Sequence, residues 1–569
     1  MSIPNIFGGS GEYYQAATTA TAAAATIEIT NLAAHNSKLY ASKFYSRLAA
    51  GEVRPFLIPQ SLLGPFIIPW VYLSIPHGGR GGKGSPSWIY RARWPVAAWM
   101  LYLDWKLLTT TSAANEAVGF AAGLVACWGA IWGSAMVLFC DPQREAVRVK
   151  RVPRRRRKNN DQKEEKEKEM TKRKKIDESH DPDAYDYVWE PFPQAGSWFD
   201  RLGWTAALLL NFRGTGWSWG TESVVPCPPP PPPPPPSPLS SLSSSSSSPE
   251  SRREKVKMEM IPVSTKAGYK RDLTYSAFFR RRLRDVIWSW LLIDLWTVVM
   301  RQDPYYIVGP EASAAHPLPD WLGTLHPAAL ALVRRVAGIS GIAAALFLYT
   351  SIYQLLVLSL LGKPGLDVLG AGGELWQYPT LFGAFGSNVC ARGLRGFWGG
   401  WWHQTFRKGF TAPVAWWYGG ERSRTRAAHE MAVAFLLSGA VHACGGISSV
   451  MDGTWFWGCV VFFGLQGAGC VIQTWFCQKV KMDRWFGPRW RRAGNLLVVM
   501  GWLHLTGWGI LDDLSRAGLW TFEPMPVSVM RLLFSVRAAP GDESWWRWGG
   551  EYGFSWYSGK HWWESGIRV

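Results

Sequence analysis

The 569-residue sequence lacks the cysteine spacings that signal a metal site or a disulfide framework. Its eight cysteines are scattered, mostly in apolar surroundings, and no Cys-x-x-Cys pair occurs. We therefore expect buried free thiols. The N-terminus has no charged segment followed by an apolar one, so a signal peptide is not expected and insertion would rely on the first membrane span. No Gly-rich phosphate loop and no nucleophile elbow is found either.

Tryptophan is abundant, with 36 residues in a chain that is 47% hydrophobic. Tryptophan is favoured where membrane meets water, so this content indicates a membrane protein. The net charge of +19 would suggest nucleic acid if the chain were soluble. Here the basic residues cluster in particular loops, which points instead to membrane topology and to anionic lipid headgroups. We expect membrane lipids and no nucleic acid as partners.

Eight apolar segments are candidates for membrane spans. They are residues 55–76, 94–108, 117–140, 286–300, 336–361, 427–447, 455–476 and 496–511. The first contains Pro59, Pro65 and Pro69, so a helix there would be kinked or broken. The second contains Asp104 and Lys106 and could either span or lie in the interface as an amphipathic helix.

The charges of the loops support one topology. With a lumenal N-terminus, the loops rich in Lys and Arg all fall on the cytosolic side: residues 77–93, 141–283, 362–426 and 477–493. The intervening loops carry few cations, and only Arg334 and Arg335 fit this assignment badly. The fold class predicted is an all-α polytopic membrane protein with about eight transmembrane helices and a cytosolic disordered insert.

The domain organisation follows from shifts in composition. We expect a polar N-terminal segment (1–54), N-terminal membrane helices (55–140), a charged cytosolic linker (141–200), an ordered island (201–220), a disordered linker rich in Pro and Ser (221–270), a membrane core (271–515) and a Trp-rich tail (516–569). The charged linker contains five successive cations at 154–158, and the second linker contains nine consecutive prolines at 228–236. Such runs favour solvated or extended chain.

His442 is the strongest candidate for proton chemistry. If its helix enters the membrane near Ala428, the imidazole lies about 21 Å deep, inside a hydrocarbon core of about 30 Å. Ser438 lies on the same face as His442 and could orient the imidazole. A buried neutral imidazole can take a proton from a hydroxyl. The alternative is a structural histidine that bonds a neighbouring helix.

His403 lies in a cytosolic segment that contains a glutamine, four cations and six aromatic residues between positions 392 and 410. Trp398 and Trp402 are four residues apart, as are His403 and Arg407. If the segment is helical, an aromatic face lies beside a His/Arg face. The alternative is an interfacial amphipathic helix.

Several stretches resemble the wax synthase-like family. The run Leu394-Arg-Gly-Phe-Trp-Gly-Gly-Trp-Trp-His-Gln-Thr-Phe-Arg407 is similar to the family's Leu-Arg-Asp-Phe-Trp-Gly-Arg-Arg-Trp-His-Gln-x-x-Arg. Pro379-Thr-Leu-Phe-Gly383 and Arg213-Gly-Thr-Gly-Trp-Ser-Trp219 resemble two further motifs, and Ser438 to His442 resembles the family's second histidine helix. The family in turn resembles the membrane-bound O-acyltransferases, and fungal members often acetylate terpenoids.

This resemblance implies an acyl-CoA-dependent O-acyltransferase whose core is residues 271–515. Acyl-CoA or acetyl-CoA would be a co-substrate, the acceptor would be a lipophilic alcohol, and no bound cofactor or metal is implied. The implied catalytic residues are His442 and His403. The implied substrate- and CoA-binding residues are Arg395, Phe397, Trp398, Trp402, Gln404, Arg407 and Ser438. A multi-pass protein of the endoplasmic reticulum is expected, and the sequence does not predict an oligomeric state.

The sequence departs from the family pattern at three positions. Gly396 replaces an aspartate, and Gly400 and Trp401 replace a basic pair. The loss of charge removes the motif's own ionic groups at these positions, and Arg392, Arg395, Arg407 and Lys408 remain as cations that can bind phosphates. Two alternatives remain open at this stage: a polytopic lipid or metabolite transporter, and an acyltransferase-like protein without activity.

Overall fold

The computed structural model describes residues 31–78, 88–153, 185–220, 255–256, 261–361, 372–451, 457–536, 538–539, 541–549 and 553–569. This part of the chain is mostly helical, as expected. The predicted runs at 154–158 and 228–236, and residues 1–30, lie outside the described residues.

Twelve helices set the architecture of the described chain. They are α1 (Leu32–Ala49), α2 (Ile68–Ser74), α3 (Arg93–Thr110), α4 (Glu116–Ser134), α5 (Trp198–Leu210), α6 (Tyr275–Met300), α7 (Pro327–Leu361), α8 (Arg407–Trp417), α9 (Arg424–Ile447), α10 (Trp457–Val480), α11 (Pro488–Thr506) and α12 (Trp508–Arg516). Shorter α-helices cover Trp88–Arg91, Pro142–Glu145, Pro304–Val308, Asp320–Gly323, Ala391–Gly396, Met482–Trp485 and Val529–Phe534. Single π-helical turns cover Leu63–Ile67, Ala135–Phe139, Gly386–Cys390 and Phe397–Trp401, and short 3₁₀ turns cover Gln60–Leu62, Ala312–Ala315, Leu375–Gln377, Leu519–Thr521 and Trp562–Glu564.

Five helices of the described chain are long and apolar enough to cross a membrane. They are Glu116–Phe139, Pro327–Leu360, Arg424–Ile447, Trp457–Val480 and Pro488–Arg516. This supports an all-α membrane protein but not the predicted count of eight spans. Residues 55–76 are divided among two-residue strands, a 3₁₀ turn, a π turn and α2, because their prolines interrupt the hydrogen-bond ladder. The helices α3 and α6 are regular, but their charged residues, such as Asp104 and Arg282, lower their mean hydropathy.

Small residues allow the membrane helices to pack closely around α9. A methyl group added at Gly123 of α4 would overlap the carbonyl group of Cys444, and one at Gly439 would lie 2.8 Å from the Cα atom of Val460 on α10. A cluster of buried apolar residues then joins α4, α9, α10, α11 and α12 to the segment around Val389 and Phe397. The C-terminal part of α9, where its buried residues run from Gly439 to Gly446, therefore lies in the protein core.

Three small sheets complete the fold. Strands β1 (Arg54–Pro55) and β3 (Thr111–Ser112) pair in parallel, and β2 (Leu57–Ile58), β8 (Gly566–Arg568) and β7 (Ser555–Tyr557) form an antiparallel sheet. The third sheet has the order β4 (Val147–Pro153), β5 (Tyr185–Pro191), β6 (Lys255–Val256), with all pairs antiparallel.

This third sheet corrects the expectation that the polar insert is disordered throughout. The strands β4 and β5 pair over their full length, and Arg148 and Lys150 of β4 each approach Glu190 of β5 to 2.8 Å. The charged residues led us to predict solvated chain. In these strands, Arg148, Lys150 and Glu190 instead form ion pairs within the sheet. Arg151 reaches Glu374 at 3.1 Å, which ties the sheet to the segment before the candidate site.

Two charged features that the sequence left without partners are explained by tertiary contacts. Arg334 pairs with Asp303 at 2.7 Å and lies over the ring of Tyr305, so its position at the start of α7 is compensated. Asp294 of α6 accepts hydrogen bonds from the Ser528 hydroxyl and the Met530 backbone amide, at 2.6 and 2.7 Å. The chain after the last membrane helix is thereby attached to α6.

Candidate active site

The segment between residues 391 and 417 is not one helix. The helix Ala391–Gly396 contains Gly393 at a φ of 60°, and it runs into the π turn Phe397–Trp401. The helical pattern then stops, and α8 begins only at Arg407. His403 and Arg407 therefore do not share a helix face, contrary to the expectation. The imidazole lies in a break between two helical elements, where backbone geometry is set by tertiary contacts.

Amide side chains hold the start of this segment. The Gln473 side chain on α10 accepts a hydrogen bond from the Leu394 backbone amide at 2.8 Å, and Asn495 of α11 donates to the Cys390 carbonyl at 3.0 Å. Asn388 donates to the carbonyl groups of Ala267 and Ala384, both at 2.7 Å. These bonds satisfy backbone groups that the irregular turns leave free.

Gln404 fixes the turn that carries His403. Its side-chain amide donates to the carbonyl oxygens of Trp398 and Trp402, at 3.0 and 2.8 Å, and its oxygen accepts from Arg407 at 3.4 Å. Both N–H groups of the side chain are thus used within the protein. The sequence comparison implied that Gln404 binds the substrate or CoA. In the structure its N–H groups hold the turn that carries His403.

The aromatic residues of the motif form one contiguous cluster. Phe397 stacks on Trp402 with ring centroids 5.7 Å apart, and Trp398 meets Trp402 at 5.4 Å. Trp402 in turn contacts the ring of His403 at 5.2 Å. The Trp398 indole N–H donates to Gln466 of α10 at 3.4 Å. The predicted residues Phe397, Trp398 and Trp402 are therefore brought together with His403.

His442 reaches the same cluster from the C-terminal part of α9. Its imidazole stacks on Phe463, with centroids 5.3 Å apart and planes inclined by 11°, and Phe463 contacts Trp398 at 5.9 Å. Ser438 does not orient it as expected, because the Ser438 hydroxyl donates to the Ala434 carbonyl one turn back, at 2.7 Å. The stack on Phe463 sets the plane of the imidazole instead.

Burial sets the protonation state of His403. Desolvation lowers the pKa of His403 to about 3, and the positive charge of Arg213 acts in the same direction. The His403 imidazole is therefore neutral at pH 7, with one nitrogen that carries a proton and one that does not. Its Nδ1 atom is buried and has no hydrogen-bond partner among the described residues.

The predicted ordered island (201–220) contributes Arg213 to this site. Arg213 donates to the Thr380 carbonyl at 3.1 Å, and its guanidinium lies 5.3 Å from the centre of the Tyr269 ring. The Tyr269 hydroxyl donates to the Trp402 carbonyl at 2.9 Å. The motifs around Arg213, Thr380 and Trp402, which are far apart in the sequence, thus meet at one place.

The cations predicted to bind phosphates are less closely gathered. Arg395 and Arg407 are exposed, and Arg407 contacts only the edge of the turn through Gln404. The glycine departures have a steric cause. A side chain at Gly396 would overlap the Asn388 carbonyl oxygen, and one at Gly400 would overlap Asn388 and Arg392. Charged residues at 396 and 400 would not fit this backbone.

Sequence reasoning missed the polar residues that support the site. Gln466 is fully buried in a membrane helix, where it bonds Trp398 and donates to Thr506 at 2.9 Å. Its position in an apolar segment was a usable signal, because polar side chains in spans are costly. Tyr269 gave no such signal, since it lies in a polar stretch.

The described residues contain no group of three or more His, Cys, Asp or Glu side chains that could hold a metal ion. Residues 378–465 match the model of the membrane bound O-acyl transferase family. The matched region includes the π turn, His403, α9 with His442, and the start of α10 with Phe463. No curated protein and no solved structure shows a significant match to the chain. The family match and the five apolar helices together support an integral membrane protein of the membrane-bound O-acyltransferase type.

Proposed function

We propose that the protein transfers an acyl group, including acetyl, from acyl-CoA to the hydroxyl of a lipophilic alcohol, as wax synthase-like enzymes do. A terpenoid-type secondary metabolite is one such acceptor, and the endoplasmic reticulum is the proposed membrane. One observation carries the proposal. His403 and His442 come from different elements of the fold, and both rings pack on one aromatic cluster: His403 against Trp402, and His442 against Phe463, which contacts Trp398.

His442 is the proposed general base. Its unprotonated nitrogen takes the proton of the acceptor hydroxyl while the hydroxyl oxygen attacks the thioester carbonyl carbon. The tetrahedral intermediate then collapses, the C–S bond breaks, and the CoA sulfur leaves with the proton that His442 returns. The products are an ester and free CoA, and no covalent enzyme intermediate is involved.

His403 is the proposed partner for the thioester oxygen. A neutral imidazole can donate one hydrogen bond, and that bond strengthens as the carbonyl oxygen becomes negative. The low pKa of His403 keeps it from being consumed as a base at neutral pH. Gln404 and Gln466 hold the ring and its neighbour Trp398 in place, so they act through position.

The aromatic cluster supports a site that excludes water. Phe397, Trp398 and Trp402 surround the approach to His403, and Phe463 covers one face of His442. Exclusion of water favours transfer to an alcohol over hydrolysis of the thioester. The acceptor would reach His442 from the bilayer, since α9 is one of the apolar helices.

The test uses microsomes that contain the protein, labelled acetyl-CoA or palmitoyl-CoA, and a panel of lipophilic alcohols. Loss of a general base typically lowers the rate by about 10²–10⁴-fold, and we expect this for His442→Ala. His429→Ala is the matched control, because His429 lies exposed at the start of the same helix and bonds only Tyr418 among the described residues.

The proposal fails if the wild-type protein transfers no label to any alcohol, or if His442→Ala transfers as much as His429→Ala. A transporter would move an alcohol across the membrane without releasing CoA, so free thiol measured in the same reactions separates the two functions.

A further inference from the structure

A pocket of about 200 Å³ lies between α6 and α7, outside the two-histidine site. Its charged wall is formed by Arg281, Arg282 and Arg284 near the start of α6. Its opposite wall is formed by the polar side chains Ser351 and Gln354 of α7. The pocket thus combines cations with hydrogen-bonding groups at the cytosolic end of a membrane helix.

Two polar atoms of the pocket residues have no partner among the described residues. The Nε–H of Arg282 is buried and donates to nothing, and the Oε1 atom of Gln354 is buried and accepts nothing. Both side chains are at least nine-tenths buried, with 3% and 5% exposed. An unpaired buried donor on a cation is costly, which indicates that a ligand group completes it.

The charges of the pocket favour an anion. Asp285 pairs with Arg282 at 3.5 Å and with Arg284 at 3.1 Å, and Asp272 pairs with Arg281 at 3.1 Å. Three guanidinium groups therefore face two carboxylates. One positive charge is therefore left over, and it is carried by a guanidinium group. The planar N–H groups of a guanidinium match the oxygens of a phosphate.

The inner wall of the pocket is aromatic and leads toward the candidate active site. Phe347 of α7 contacts Phe382 at 4.7 Å, and Phe382 stacks on Trp401 at 4.9 Å. Phe382 also lies 6.3 Å from the ring of His403. A ligand with its anionic group on the arginines would thus place an apolar part against these rings.

We propose that this pocket binds the phosphate group of an amphiphile, with Arg282 and Arg284 as the anion ligands. Two sources share this chemistry: the nucleotide of the thioester donor, and the headgroup of an anionic phospholipid. The part that concerns the donor rests on the proposed function. The sequence analysis assigned phosphate binding to Arg392, Arg395, Arg407 and Lys408, none of which lines this pocket, so the pocket is a different site.

The experiment uses the full-length protein in nanodiscs of phosphatidylcholine. Binding of radiolabelled CoA to these nanodiscs is measured by equilibrium dialysis. For phosphatidic acid, the protein is instead purified from mixed micelles that contain this lipid, and the lipid retained on the protein is extracted and measured. The variants are Arg282→Gln and Arg284→Gln. The Arg284 side chain is 71% exposed, so its replacement leaves the fold intact. Arg280→Gln is the control, since Arg280 carries the same charge on the same helix, is exposed, and does not line the pocket.

We expect one of the two ligands to bind about tenfold more weakly to Arg282→Gln, with a smaller loss for Arg284→Gln and none for Arg280→Gln. Loss of CoA binding identifies the donor, and loss of phosphatidic acid identifies the lipid. The inference is overturned if neither ligand distinguishes the two pocket variants from Arg280→Gln. Failure of the proposed function shows separately, as absence of acyl transfer by the wild-type protein in the same nanodiscs.

Discussion

Replacement of Gln404 tests whether this residue acts by clamping its own turn. In Gln404→Met the side chain keeps its length but loses both donors, so the Trp398 carbonyl loses the Gln404 bond and the Trp402 carbonyl keeps only the Tyr269 hydroxyl. A buried polar group without a partner costs about 1–3 kcal/mol. With the Trp398 carbonyl left unpaired, we expect the free energy of unfolding to fall by about 1–3 kcal/mol.

Gln404→Glu makes the test sharper. A carboxylate would be a better acceptor for Arg407, but it places negative oxygens beside two carbonyl oxygens. If the clamp is the function of Gln404, Glu destabilises the protein at least as much as Met does. If the contact with Arg407 is what counts, Glu leaves stability unchanged or raises it.

The assay follows thermal unfolding in detergent with a thiol-reactive dye. Cys459 and Cys470 are buried and free, so their reaction with the dye reports loss of the core around the site. Gln302→Met is the control. The Gln302 side chain donates to the Val298 carbonyl at the C-terminal end of α6, so it makes the same kind of bond away from the motif. The reasoning is refuted if Gln404→Glu melts at or above the wild-type temperature, or if Gln404→Met behaves like Gln302→Met.

Three further predictions concern the parts that support the site. Gly123→Ala should lower the free energy of unfolding by about 1–3 kcal/mol, because the new methyl group overlaps Cys444 and pushes α4 away from α9. The control is Gly464→Ala, which has open space around the new methyl group and should be neutral in the same melting assay. Glu190→Gln should destabilise the third sheet by about 3–5 kcal/mol, since buried Arg148 loses its charged partner, as measured by proteolysis of the chain near β5. Burial alone would raise the pKa of Glu190, but Arg148 and Lys150 outweigh it and hold that pKa below its ordinary value. The stabilisation is therefore complete above a pH of about 4.3 and is lost as the pH falls through the folded-state pKa, so acid titration of wild type against Glu190→Gln should converge at low pH.

Much of the membrane fold was predictable because long apolar segments have few alternatives. The segments at 117–140, 427–447 and 455–476 correspond to α4 with its π turn, α9 and α10. The N-terminal segments were harder, since hydropathy does not distinguish a spanning helix from chain that prolines divide into turns. The sheet of β4, β5 and β6 was missed because its pairing joins charged residues across distant stretches of sequence.

The sequence proposed candidate site residues but did not predict how they are arranged. The sequence motifs pointed to His403, His442 and the tryptophans, and the structure places them around one cluster. The helical spacing of His403 and Arg407 was misleading, because tertiary bonds to Gln473 and Asn495 impose irregular turns that local propensity does not encode. We predicted that the Ser438 hydroxyl orients His442, but it donates to the Ala434 carbonyl of its own helix.

The third sheet has a consequence for handling the protein. Strand β4 ends at Pro153, and β5 begins at Tyr185, which pairs with Pro153. Later in the chain, Trp217 forms a bridge to Arg148 of β4, and β6 pairs with β5. The described residues that flank 154–184 and 221–254 thus belong to one small platform or lie next to it. Doubling the length of a closed loop costs only about 0.6 kcal/mol, so a fluorescent domain or affinity tag inserted in either stretch should leave the site undisturbed. These two stretches are the natural places to attach a reporter to a membrane protein of this kind.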